Sequence, residues 1–240
     1  MLRLTLALTL LLAGCGETAR RAPALDLQAP DQPPRPDLLD LSGTRPDLPL
    51  DAALPDAGLP DQPGSSVPQV PYFYQYDNQL YPSSTCQNTS IAMVLAYLGW
   101  SGKPDDITAA HGKDKAQSPS GLAAVFNSYA QSMGIAERLV PHMDGTVQDV
   151  RSLLAAGTPV IVHGYFTAYG HVLVILAESG AHYVVHDPAG KWSEVFKGGY
   201  GPGQSATSGK AVSYGAAAFE AAIATLDGAT FEPIWYHELR

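Results

Sequence analysis

Hydrophobic and polar residues alternate in three different ways along this chain. Residues 4–13 are almost all apolar, with no period. Residues 16–68 show no period of either kind. From residue 69 onward both structural periods appear. Ile91, Val94, Leu95 and Leu98 recur at helical spacing, and Gly99 supplies a stop. Ser118 to Met133 reads as a second helix, with Leu122, Val125, Phe126 and Tyr129 on one face and Gly134 ending it. Thr146 to Ala156 reads as a third, capped by Thr146. Val160 to Phe166, Gly170 to Ala177 and Ala181 to Asp187 read as strands. The last two are joined by Glu178-Ser179-Gly180 as a three-residue hairpin loop. Tyr214 to Leu226 reads as helix and Ile234 to Tyr236 as a final strand. The glycine-rich stretch around 198–209 is expected to be a connector or a flap. Helices first and a sheet later predict an α+β domain over 69–240.

The first two regimes call for a different reading. Arg3, the apolar run and Leu12-Ala13-Gly14-Cys15 have the anatomy of an export signal with small residues at the cut site. The Leu-Ala-Gly-Cys ending resembles the bacterial lipoprotein box. That resemblance implies that Cys15 is lipidated and anchors the protein in the cell envelope, at the outer membrane, without a spanning helix. Residues 16–68 hold 11 of the 20 prolines, 9 acids, 4 arginines and no aromatic residue. Such a segment cannot bury enough surface to offset its ordering entropy, and it is expected to be a disordered tether.

Composition narrows the function classes. Of the 240 residues 45% are hydrophobic, enough for a core, and the net charge is −9. No basic footprint suggests a nucleic-acid partner. The apolar run at the start is well short of the ~20 residues of a membrane-spanning helix. Neither metal-binding motif nor cofactor motif appears: there is no His-Glu-x-x-His, and Gly203 to Lys210 departs from a phosphate loop in spacing and in its last residue. No cofactor is expected.

Cys86 is the one cysteine after residue 15. If Cys15 is acylated, Cys86 has no partner, and a leftover cysteine in an exported chain is a buried hydrophobe or a reactive thiol. Its placement favours the second. Pro82-Ser83-Ser84-Thr85 is turn and cap chemistry, so Cys86 falls in the first turn of the first helix. The dipole there lowers a thiol's pKa. A base is offered by the two-strand unit. A hairpin centred on Ser179 sets His171 directly opposite Asp187, on one face and within contact. An acid beside a histidine fixes its tautomer and stabilises the imidazolium. Of the other histidines, His163 reads as a satisfied core or edge residue, and His182 and His186 as solvent-facing.

Val70 through Asn78, Thr85-Cys86 through Met93, Gly170-His171-Val172 and His186-Asp187-Pro188 together resemble a papain-like cysteine peptidase domain of the bacteriocin-processing, peptidase C-39-like type. The resemblance covers 69–240. It implies a papain-like fold, with Cys86 as nucleophile, His171 as general base and acid, Asp187 orienting His171, and Gln75 donating to the oxyanion. Asn78 and Gln79 are rivals for that last role. Many relatives have glycine after the cysteine, where this chain has Gln87. Bacteriocin-processing members are fused to an ABC transporter, of which these residues carry no sign, so a leader-peptide role is not carried over. The expected activity is hydrolysis of peptide or isopeptide bonds. A transamidase using the same residues, and an inactive tethered binding module, are the alternatives.

Overall fold

The computed structural model describes residues 67–224 and 233–240. The export signal, Cys15 and nearly all of the tether lie outside the described residues. Five helices occur among those described: α1 (Cys86–Tyr97), α2 (Pro104–His111), α3 (Pro119–Ser132), α4 (Val147–Ala155) and α5 (Ala216–Ala224). Six strands, β1 (Leu139–Gly145), β2 (Val160–Gly164), β3 (His171–Ser179), β4 (His182–His186), β5 (Val212–Gly215) and β6 (Ile234–Leu239), form one antiparallel sheet in the order β1-β6-β2-β3-β4-β5. This is the α+β class expected from the order of the elements.

The sheet is covered on both faces. One face, with Leu139, Ile161, Val172, Val174 and Leu176, packs against α1, α2 and α3 through Ile91, Leu95, Ile107, Leu122 and Phe126. The other, with Val160, Val162, Leu173, Ile175 and Val185, packs against α4 and α5 through Val150, Leu154, Phe219 and Ile223. A strand buried on both faces has no polar side to alternate with. That is why β2 and the first part of β3 read as continuous apolar runs. α1 is the central helix: every residue from Gln87 to Leu95 is buried, polar ones included.

Caps set the helix ends. The Ser118 hydroxyl accepts from the Gly121 amide at the start of α3, and Thr146 and Asp149 form a reciprocal capping box on α4. Gly99 and Gly134 follow α1 and α3 with positive φ, as read from the sequence.

Four expectations need correction. The turn between β3 and β4 is Gly180-Ala181, two residues, with positive φ at Gly180. This pairs Ser179 with His182 and shifts the ladder by three from the sequence expectation. A bulge between Ile175 and Ala177 takes one residue back, so Val174 faces His186. His171 is therefore two positions along from a directly opposed Asp187, on the diagonal. Without the bulge the two would lie on opposite faces. Second, Tyr214 lies in β5 and not in a helix; α5 begins at Ala216. A four-residue strand is too short to show a period beside an alanine-rich run. Third, His186 is buried. Its Nδ1 accepts from the Ala211 amide and its Nε2 donates to Val70 O, which ties the start of the domain to β4. Fourth, the glycine-rich stretch is more than a connector: its Tyr200 and Gly209 hydrogen-bond Asp187.

Candidate active site

Thr85 is the residue before α1, and Cys86 is the first residue of the helix. Polar ties fix that end. The Thr85 hydroxyl donates to Tyr81 O, and the Ser90 hydroxyl donates to Val172 O on β3, holding helix against strand. His171 opens β3 and is 8% exposed. Its Nε2 lies 2.9 Å from Asp187 Oδ1. The opposite ring nitrogen is left free of Asp187, and Cys86 lies beside the ring: the two residues line one cavity, and each shifts the other's pKa. The structure thus brings Cys86, His171 and Asp187 into one chain of contacts.

The electrostatics of the pair are reciprocal. Burial pushes the Cys86 thiol up, but the His171 charge, its hydrogen bond and the backbone amides of Val172 and Gln87 outweigh it, and the net direction is down. Burial pushes His171 down, and Asp187 together with Cys86 outweighs that, so its pKa rises to about 10. Each group favours the charged form of the other, as in a thiolate–imidazolium pair.

Asp187 is fully buried, yet four donors surround it. Besides His171, the Tyr200 hydroxyl reaches both oxygens at 3.0 and 2.9 Å, the Tyr214 hydroxyl reaches Oδ2 at 2.9 Å, and the Ala189 amide reaches Oδ1 at 3.0 Å. Burial and the neighbouring carboxylate hold both phenols far above their ordinary pKa, so they remain donors. The Tyr200 ring also stands edge-on to the His171 ring at 5.4 Å. Asp187 is clamped through its backbone as well: its amide donates to Gly209 O, and its carbonyl accepts from the Tyr72 hydroxyl. A side chain at 209 would begin 1.9 Å from that carbonyl oxygen, so only glycine fits. Tyr200 and Gly209 belong to the stretch read as a connector or flap; here it is the wall behind Asp187. Sequence reasoning missed both tyrosines. They lie 13 and 27 residues from Asp187, and no local pattern marks them.

Gln75 is buried in a short 3-10 turn, Gln75–Asp77. Its backbone amide donates to Pro188 O beside Asp187, and its Nε2 donates to Pro82 O in the turn before α1. A primary amide has two N–H groups, so one remains. The two rivals have less to offer. Asn78 uses Nδ2 on the Thr85 and Thr89 hydroxyls. Gln79 is exposed, with its amide on Asp77 O.

A cavity of about 630 Å³ opens beside Cys86 and His171. Tyr165, Tyr169 and Trp235 give it aromatic walls, and no Asp, Glu, Lys or Arg lines it among the described residues. His163 also lines it. Contrary to the expectation of a satisfied histidine, its Nε2 has no partner, and burial lowers its pKa to about 3.

A family model described as the Peptidase_C39 like family matches residues 67–210. No curated protein matches the chain. Among solved structures, a double glycine motif protease from an AMS/PCAT transporter, in complex with the leader peptide, is similar at 17% identity and a TM-score of 0.43, over 70% of this chain and 90% of that one. The peptidase domain of Streptococcus ComA, a bi-functional ABC transporter, is similar at 12% identity and a TM-score of 0.44, over 65% of this chain and 91% of that one.

Proposed function

The chain belongs to the Peptidase_C39 like family and is a hydrolase of the cysteine-peptidase class, and from this premise we propose that it cleaves peptide bonds through Cys86, His171 and Asp187 from an anchored position in the cell envelope. The observation that carries the assignment is the His171 ring, held at Nε2 by a buried carboxylate at 2.9 Å and sharing one cavity with a thiol at a helix N-terminus.

In this reading the imidazole takes the thiol proton, and Cys86 Sγ attacks the scissile carbonyl carbon. The oxyanion forms near the free N–H of Gln75. His171 then gives its proton to the leaving amine, which departs and leaves a thioester on Cys86. Water, deprotonated by His171, hydrolyses the thioester and restores the thiol. Asp187 holds the imidazole in orientation and stabilises its cation throughout. The uncharged cleft suits an uncharged stretch of polypeptide, because a buried charge without a partner is costly. We further propose that Cys15 carries the acyl anchor and that residues 16–68 tether the peptidase domain to the membrane.

The test is cleavage of a mixture of uncharged and charged peptides by the full chain, with termini read by mass spectrometry. New termini within uncharged stretches that vanish in Cys86→Ala support the proposal. Cleavage that survives Cys86→Ala, or none from the wild type, overturns it. The anchor is tested separately: Cys15→Ser should move the protein from the detergent-rich to the aqueous phase.

A further inference from the structure

The residue after the proposed nucleophile, Gln87, is not a passive neighbour. Its side chain is buried, at 2% exposure, and every polar atom is engaged. Nε2 donates to Ser84 O at 3.1 Å and to Lys113 O, which uses both amide N–H groups. Rotating the amide by half a turn would set its oxygen against two carbonyl oxygens. The orientation is therefore fixed, and Oε1 faces Cys86 Sγ at 3.3 Å. An amide oxygen accepts and never donates. It stabilises an S–H beside it and repels a thiolate.

Resting on the peptidase reading above, we propose that Gln87 is a positioning residue whose side-chain oxygen accepts the Cys86 S–H and opposes the ionisation that His171 promotes. The sulfur then sits between opposed influences. His171 and the amides of Val172 and Gln87 favour the thiolate, and Gln87 Oε1 favours the thiol. The other titratable groups facing the sulfur are Tyr76, from the turn that carries Gln75, and Tyr200; Asp187 acts behind His171. The Lys113 ammonium is paired with Asp114. Gln87 thus lowers the resting reactivity of an exported thiol without touching the His171–Asp187 contact.

The experiment is the pH dependence of iodoacetamide alkylation in the full chain, read on the Cys86 peptide by mass spectrometry, for wild type, Gln87→Met, Gln87→Glu and His171→Ala. Met and Glu both lose the donors to Ser84 and Lys113, but only Met removes the oxygen acceptor. The alkylation midpoint of Gln87→Met should fall by about half to one pH unit, a threefold to tenfold faster reaction below the midpoint, and that of Gln87→Glu should rise. Two midpoints that move the same way, or neither moving, overturn the proposal. A midpoint unaltered in His171→Ala overturns the catalytic pair instead, whatever Gln87 does. Should the Gln87 variants fail to fold, the infrared S–H band of wild type minus Cys86→Ser decides. A hydrogen-bonded S–H band at a pH below the wild-type alkylation midpoint supports the proposal, and an unbonded one overturns it.

Discussion

Removing one hydroxyl from either tyrosine behind Asp187 isolates how much that clamp contributes. In Tyr200→Phe the ring that packs on His171 stays, and the carboxylate loses the hydroxyl 3.0 and 2.9 Å from its oxygens. A hydrogen bond to a charged group contributes about 1.5–3 kcal/mol, and this should be the loss of folding stability. Tyr214→Phe removes a donor at 2.9 Å from the same carboxylate, but its oxygen also accepts from the Trp192 amide at 2.8 Å. That amide is buried and becomes unpaired, which costs about 1–3 kcal/mol more. In a domain with a stability of about 5–15 kcal/mol, the second variant approaches the limit of folding. Urea unfolding of the full chain, followed by tryptophan fluorescence, should show lower midpoints at an unchanged slope, with Tyr214→Phe the lower of the two. Equal midpoints for the two variants, or a loss under about 0.5 kcal/mol for Tyr200→Phe, would refute the clamp.

Other expected outcomes concern separate parts of the site. Gln75→Ala should reduce kcat by about 100- to 1,000-fold, as loss of an oxyanion donor does, while alkylation of Cys86 stays at the wild-type rate. Slowed alkylation would assign Gln75 to the scaffold instead. Gly209→Ala drives a methyl group into Asp187 O and should cost about 1–3 kcal/mol in urea midpoint, with Cys86 alkylation slowed as well. An unchanged midpoint would mean that the loop gives way freely. His163 is half-buried at the cavity wall and His237 fully buried, and both are neutral, with pKa values lowered to about 3 and about 4 by desolvation first. The unfolded chain binds these protons from about pH 6.5 downward and the folded chain does not, so stability present above pH 6.5 is lost as the pH falls toward 4. Each histidine should account for about 2–3 kcal/mol between pH 7 and pH 4.5, and His237→Gln should flatten the loss.

How far the site could be read from the chain depended on sequence distance. Cys86 was placed by local signals, turn residues before a helical repeat, which need no knowledge of the rest of the fold. The contact between His171 and Asp187 was also foreseen, but by a register that the structure corrects. A two-residue turn and a bulge happen to keep both side chains on one face. Bulges leave no mark in a run such as Val172 to Leu176, where every residue is apolar and buried. β1 and α2 went unread, because Leu139 to Gly145 mixes proline, histidine and aspartate, and α2 has only eight residues. Tyr200, Tyr214 and the fixed amide of Gln87 are tertiary facts. Each depends on which carbonyl or carboxylate the fold brings near, and no spacing encodes that.

The central claim is that His171 sets the reactivity of Cys86, and the pH profile of Cys86 alkylation tests it most directly. In the full chain, read on the Cys86 peptide, the wild-type midpoint should lie below the roughly 8.5 of a free thiol. In His171→Ala it should rise past that value, because burial, the largest influence on the sulfur, is then opposed only by the Val172 and Gln87 amides. A wild-type midpoint at or above that of a free thiol, unmoved by His171→Ala, would contradict the account.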